Sequence, residues 1–187
     1  MVSMARNISV AALAAGMACA PASAALVQFM HTFVNTSGTA QDFTFTATSG
    51  VAYSGQSLFD IQGSLALNLI DLNGNGAILS SIGDSGLFTA FTDFGTANRA
   101  TAGSLLSSTT ITAGAFLSSS LGPAGFGDPI PSQLHGAVAE NIAMQFRFSL
   151  TAGDSASFTS IFVVEAIPAP GALALMGLAG LRNRRRR

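Results

Sequence analysis

The stretch that decides the fold spans residues 144–164 and reads Met144-Gln145-Phe146-Arg147-Phe148-Ser149-Leu150, then Thr151-Ala152-Gly153-Asp154-Ser155, then Ala156-Ser157-Phe158-Thr159-Ser160-Ile161-Phe162-Val163-Val164. Large apolar residues alternate with polar ones on both sides of a short segment of turn-forming residues. Alternation with a period of two is typical of β-strands with one buried face. The stretch therefore predicts two strands that pair as a hairpin.

The same alternation occurs upstream, in residues 43–48 and in residues 65–69. Asn35-Thr36-Ser37-Gly38 precedes the first run, and Asn73-Gly74-Asn75-Gly76 follows the second. Asn-Gly pairs favour hairpin turns because both residues tolerate positive φ. Several short strands at this spacing predict an all-β fold, an antiparallel β-sandwich with an open β-barrel as the alternative.

Residues 118–136 are rich in glycine and proline and predict a long loop or the rim of a site. A short helix over residues 133–142 is a further interpretation of the sequence that follows.

The first 24 residues have the organisation of a secretory signal peptide. Arg6 supplies a positive start, residues 8–18 form an apolar helical core, and Ala22 and Ala24 give the small-x-small cleavage pattern. We expect the mature chain to begin at Ala25. The chain then divides into a signal peptide (1–24), a β domain (25–166) and a C-terminal segment (167–187).

The C-terminal segment has three parts. Pro168-Ala169-Pro170 comes first, the apolar run 171–181 follows, and five arginines end the chain. The 11-residue run would form a helix of roughly 16 Å, about half of the hydrocarbon core. Arginines hold a terminus on the cytoplasmic side of a membrane. These arginines are Arg182, Arg184, Arg185, Arg186 and Arg187.

This tail resembles the PEP-CTERM sorting signal of Gram-negative bacteria, with Ala169 in place of the usual glutamate. The resemblance implies export through the secretion translocon and a transient stay at the inner membrane on the short transmembrane helix. It also implies recognition by an exosortase-type membrane protease, and release to the cell surface or to an exopolysaccharide matrix, as in a biofilm. It covers about a tenth of the chain and implies a route, not an activity.

Composition narrows the function classes. The β domain has two arginines against nine acidic residues, a net charge of −7, which argues against nucleic-acid binding because phosphates would be repelled. The sole cysteine, Cys19, lies in the predicted signal peptide, so we expect no disulfide or thiol chemistry in the mature domain. Of the 142 domain residues, 34 are serine or threonine, which suits strands with one solvated face.

Asp71, Asn73 and Asn75 match the first half of a calcium loop, in which oxygen ligands alternate and a glycine allows a sharp turn. Ile82 stands where the loop needs an acidic twelfth residue. The segment is read either as a weak calcium candidate or as a plain Asn-Gly turn.

Two serines, Ser85 and Ser155, follow a Gly-Asp pair, as the nucleophiles of some hydrolases do. Each needs a histidine base, and neither His31 nor His135 has the expected surroundings. We therefore expect a protein that is not an enzyme and uses no cofactor. The leading expectation is an exported structural protein.

The alternative is a glycan-binding or adhesive module. Sugar platforms favour Trp and Tyr, whereas this chain has no Trp, one Tyr and 14 Phe. We expect most phenylalanines to be core residues.

Overall fold

The computed structural model describes residues 24–51, 58–84, 86–127 and 130–167. Within these residues the chain forms eleven β-strands and no helix. All strand pairs are antiparallel. The prediction of an all-β antiparallel fold is therefore confirmed. The predicted signal helix, the C-terminal apolar helix, Ala22 and residues 168–187 lie outside the described residues.

The strands form two sheets that face each other. Sheet 1 has the order β1-β11-β3-β8, with β9 also paired to β3. Its strands are β1 (Ala24–Val34), β3 (Phe59–Asp71), β8 (Ser118–Phe126), β9 (Gln133–His135) and β11 (Asp154–Ala166). Sheet 2 has the order β6-β5-β10-β4-β7, with β2 also paired to β10. Its strands are β2 (Gln41–Gly50), β4 (Ala77–Ser81), β5 (Phe88–Thr92), β6 (Ala100–Leu105), β7 (Thr110–Ala113) and β10 (Asn141–Leu150).

β3 and β11 form the centre of sheet 1. Their register is unbroken from the pair Asp71 and Asp154 to the pair Phe59 and Ala166. Every second residue of β3 is buried along all 13 positions, so one face of the strand points into the core and the other toward solvent. Period-two patterning therefore predicts this strand correctly.

The core is rich in phenylalanine. The Phe158 ring on β11 lies 5.7 Å from Phe33, 5.6 Å from Phe146 and 4.9 Å from Phe148, measured between ring centroids. These partners come from β1 and β10, so the cluster joins the two sheets. Eight of the 14 phenylalanines are buried and two are exposed. Tilted and edge-to-face pairs at these distances add to the stabilisation from apolar burial.

The predicted hairpins are wrong in their pairing. The segments after residues 34, 71 and 150 do reverse the chain, but each joins a strand of one sheet to a strand of the other. β10 pairs with β2, β4 and β5 rather than with β11. The turn residues predict a reversal, whereas packing of the apolar faces decides which sheet receives the next strand.

The long loop predicted over residues 118–136 and the short helix over 133–142 are also wrong. Residues 118–126 form β8 and residues 133–135 form β9. Pro123 is accommodated because β8 is an edge strand whose register with β3 shifts between Leu65 and Leu67.

We predict that Phe158→Ala lowers the free energy of unfolding by about 3–5 kcal/mol, because it leaves a cavity between the sheets. Phe116→Ala is the matched control, since the Phe116 side chain is 72% exposed, and its loss should be below about 1 kcal/mol. Urea unfolding measures both variants. Equal losses would contradict a core centred on Phe158.

Candidate functional site

The four links that cross between the sheets at residues 35–40, 72–76, 114–117 and 151–153 meet at one end of the molecule, which we call the crossover end. The Asn35 backbone N–H donates to the Asp154 carbonyl at 2.9 Å, and the Gly153 N–H donates to the Asn35 carbonyl at 2.8 Å. The Asp71 N–H donates to the Leu117 carbonyl at 3.0 Å. These hydrogen bonds join the β1-to-β2 link to the β10-to-β11 link, and the end of β3 to the β7-to-β8 link.

Two carboxyl groups lie side by side at the crossover end. Asp71 ends β3 and Asp154 begins β11, and the two residues are register partners. Their side chains are 3% and 0% exposed. Burial of two charges of the same sign without compensation would be strongly unfavourable.

Backbone N–H groups stabilise the charge on Asp71. Its Oδ1 accepts from the Asn73 N–H at 3.3 Å and from the Gly74 N–H at 3.2 Å, and its Oδ2 accepts from the Phe116 N–H at 2.6 Å. Burial alone would raise the pKa of Asp71, but these N–H donors and the hydrogen bond from Asp154 outweigh it, so the pKa is lowered.

Asp154 is the member of the pair whose charged form is disfavoured. Its Oδ2 accepts a short hydrogen bond from the Thr151 hydroxyl, whereas its buried Oδ1 has no donor among the described residues. Burial raises the pKa of Asp154, and so do the hydrogen bond to Asp71 and the charge of Asp71, although the Thr151 hydroxyl opposes the shift. The two carboxyl groups are coupled, and their pKa values shift in opposite directions.

Asn35 closes the crossover end. Its side-chain amide is 2% exposed. Nδ2 donates to the carbonyls of Thr39, Leu150 and Thr151 at 2.9, 2.9 and 3.1 Å, and Oδ1 accepts from the Ser37 N–H at 3.0 Å. Asn35 thereby fixes the β1-to-β2 link against the β10-to-β11 link.

The predicted calcium residues form the β3-to-β4 link. Asn73 Oδ1 accepts from the Asn75 N–H at 3.1 Å, and Asn73 Nδ2 donates to the Ala152 carbonyl at 2.7 Å. Gly74 and Gly76 have φ of 83° and 87°, as the Asn-Gly pattern predicts. The oxygens of Asp71 and Asn73 accept N–H groups here. No group of three or more His, Cys, Asp or Glu suited to a metal occurs within the described ranges, and a calcium site at Asp71, Asn73 and Asn75 stays a prediction.

A second polar cluster lies where β5 ends. The Asp93 carboxylate is 3% exposed, and its Oδ1 accepts from the Ala139 N–H at 3.0 Å and from the Glu140 N–H at 2.7 Å. Asp93 has φ of 51°, so its backbone is strained. Its carboxylate anchors the segment before β10.

His135 Nε2 lies 3.0 Å from the Thr92 hydroxyl. Burial lowers the pKa of His135, and the charge of Asp93 opposes the shift.

The structure describes three of the four candidate hydrolase residues, namely Ser155, His31 and His135. Ser85 lies outside the described residues. Ser155 is buried on β11, and His31 on β1 is the register partner of Phe158. Because side chains alternate along a strand, Ser155 and His31 point to opposite faces of sheet 1. The His31 ring instead contacts Phe33 at 4.9 Å between centroids.

Sequence reasoning found Asp71 but missed its partner. Asp154 was assigned to a turn, and a single carboxylate in a turn gives no signal that it will be buried. Asn35 was likewise read as a turn residue, whereas its side-chain amide is buried and hydrogen-bonded. The burial of Asp154 depends on the pairing of β3 with β11, and that of Asn35 depends on its hydrogen bonds to the end of β10 and to the β10-to-β11 link.

The described part of the chain contains no helix that is both long and apolar enough to cross a bilayer.

No protein-family model matches this chain, and no curated protein sequence matches it. Three solved structures of infectious bursal disease virus show weak likeness. A mutant VP2 protein in T=1 particles is 11% identical with a TM-score of 0.22, over 88% of this chain and 48% of that chain. The structure of the Gx strain is 12% identical with a TM-score of 0.20, over 82% of this chain and 44% of that chain.

The third, a VP2 subviral particle, gives 13% identity and a TM-score of 0.22, over 88% of this chain and 50% of that chain. This chain thus spans about half the length of the solved chains that it matches. At these TM-scores the likeness carries no argument about fold or function.

The opposite pKa shifts of Asp71 and Asp154 predict opposite effects of two isosteric changes. Asp154→Asn keeps a neutral donor opposite Asp71, so the melting temperature at neutral pH should stay the same or rise. Asp71→Asn removes the charge that three N–H groups bind and should lower the melting temperature. Thermal unfolding measures both variants, and equal effects would contradict opposite pKa shifts of the two groups.

The pair also predicts a pH dependence. Because the pKa of Asp154 is raised, its contribution is present below the unfolded pKa and is lost as pH rises through the folded pKa. Because the pKa of Asp71 is lowered, its contribution is lost as pH falls through its folded value. Stability should therefore peak between the two folded pKa values. Asp154→Asn should abolish the loss on the high-pH side, as followed by melting temperature against pH.

Proposed function

We propose that this chain is an exported structural protein of the cell surface or of an exopolysaccharide matrix. The observation that carries the proposal is the C-terminal tail: Pro168-Ala169-Pro170, the apolar run 171–181 and the terminal arginines. The signal-peptide pattern ending at Ala24 supports the same route. In this scheme the translocon exports the chain, the tail holds it transiently in the inner membrane, and an exosortase-type protease releases it.

The described domain suits a structural role for physical reasons. Its core is built from ring contacts between the sheets and from a closed set of hydrogen bonds at the crossover end. Its net charge of −7 and its many hydroxyl side chains favour hydration in a polymer matrix.

We further infer that the domain is a β-sandwich rather than an open barrel. At the margin where β1 and β2 approach, contact is made by rings, for example Phe29 and Phe45 at 4.6 Å between centroids. No ladder joins β1 to β2 in the described part of either strand. The two sheets thus stay separate at this margin.

A glycan-binding or adhesive module is the second candidate. The observation in its favour is the row of rings at the same margin, where His31 is exposed and stacks on Phe45 at 7° and 6.4 Å. Phe45 is 36% exposed. Binding of neutral or acidic polysaccharides on a glycan array, lost in Phe45→Ser, would favour this candidate over a purely structural role.

The sorting route is tested by intact mass and fractionation of the native protein. We expect a released species that begins at Ala25 and ends near Pro170. Replacing Arg184, Arg185, Arg186 and Arg187 with glutamine should reduce release while leaving the N-terminal cleavage unchanged. Ala169→Glu, which restores the usual motif, should release at least as much protein as the wild type. A membrane-bound species that retains Arg187 would contradict the proposal.

A further inference from the structure

β1 leaves a long edge of sheet 1 open. It pairs with β11 along its whole length, from Ala24 to Val34, in an unbroken register. No other strand among the described residues pairs with it. Every second residue of an antiparallel edge strand points its N–H and C=O away from its partner, so β1 presents unpaired groups over about 36 Å.

The other edges are less suited to pairing with a further strand. β8 contains Pro123 and a register shift, and β6 and β7 have only six and four residues. Short strands, proline and bulges are the usual means by which proteins protect sheet edges. β2 is long, but its solvent face carries the charged side chain of Asp42. β1 has none of these protections.

The solvent face of β1 is apolar and symmetric in its spacing. Leu26, Met30 and Val34 are 53%, 75% and 48% exposed, and Met30 lies midway between the other two. β1 contains no Asp, Glu, Lys or Arg and no proline.

We propose that β1 pairs antiparallel with β1 of a second copy of this chain, about a twofold axis that passes midway between the two Met30 residues. This register sets Leu26 of one copy opposite Val34 of the other, and Gln28 opposite Thr32. Apolar residues thus face apolar ones and polar residues face polar ones along the strand. The interface is isologous, and sheet 1 continues from one copy into the next.

Charge favours a second copy at this edge over other surfaces. Two domains of net charge −7 repel one another. A strand without Asp, Glu, Lys or Arg lets two backbones approach without placing like charges opposite each other. The inference goes beyond the proposed function, because it concerns the folded domain and does not depend on the route of export.

The experiment measures self-association of the native protein, as purified from cells, by sedimentation velocity over a range of concentrations. We expect a dimer for the wild type. Met30→Lys and Met30→Glu should each weaken dimerisation roughly tenfold, because residue 30 faces itself across the axis. An equal mixture of the two variants should restore dimerisation, since opposite charges then meet.

Ile78→Lys is the control, because Ile78 is 43% exposed on β4 of the other sheet, and it should leave dimerisation unchanged. Melting temperatures near that of the wild type show that the variants are folded. A wild type that stays monomeric at every concentration overturns the proposal. So does a mixture that fails to dimerise, or an equal loss in Ile78→Lys.

Discussion

The structure depends on the pair of buried carboxyl groups that Asp71 and Asp154 form at the crossover end. These residues stand where the chain passes from sheet to sheet, and both are buried. The N–H groups around Asp71 favour its charged form, whereas burial disfavours the charged form of Asp154. Since Phe116 lies on the β7-to-β8 link and Thr151 on the β10-to-β11 link, the pair joins three links that are distant in sequence.

This pair also fixes the register of the sheet. A shift of one residue between β3 and β11 would separate Asp71 from Asp154 and move each apolar set to the solvent face. Both errors would cost free energy at once, because one leaves a buried charge without its donor and the other exposes Phe158 and its neighbours. The apolar alternation along β3 and β11 and the carboxyl pair at the crossover end thus specify the same strand register.

Contacts between phenylalanine rings hold the two sheets together. The rings of Phe33, Phe146, Phe148 and Phe158 come from three strands of two sheets and contact one another directly. A mature domain without cysteine would depend on such contacts and on its strand ladders. The inner face of β1 contacts these rings. Its outer face is apolar, and no strand in the described part of the chain pairs with its free backbone edge.

Sequence by itself determined that the chain is built of strands, where it reverses direction and which faces are apolar, because period-two alternation and turn residues are local properties. It also provided the tail and the signal-peptide pattern on which the functional proposal rests. Only the tertiary structure decided that the reversals join opposite sheets, because a turn residue sets backbone direction and not the partner of the next strand. The short strand β5 was missed because both of its faces are buried, so no alternation marks it. Tertiary structure alone likewise placed Asp154 beside Asp71, since a carboxylate in a turn shows no sign of burial until two distant strands are in register.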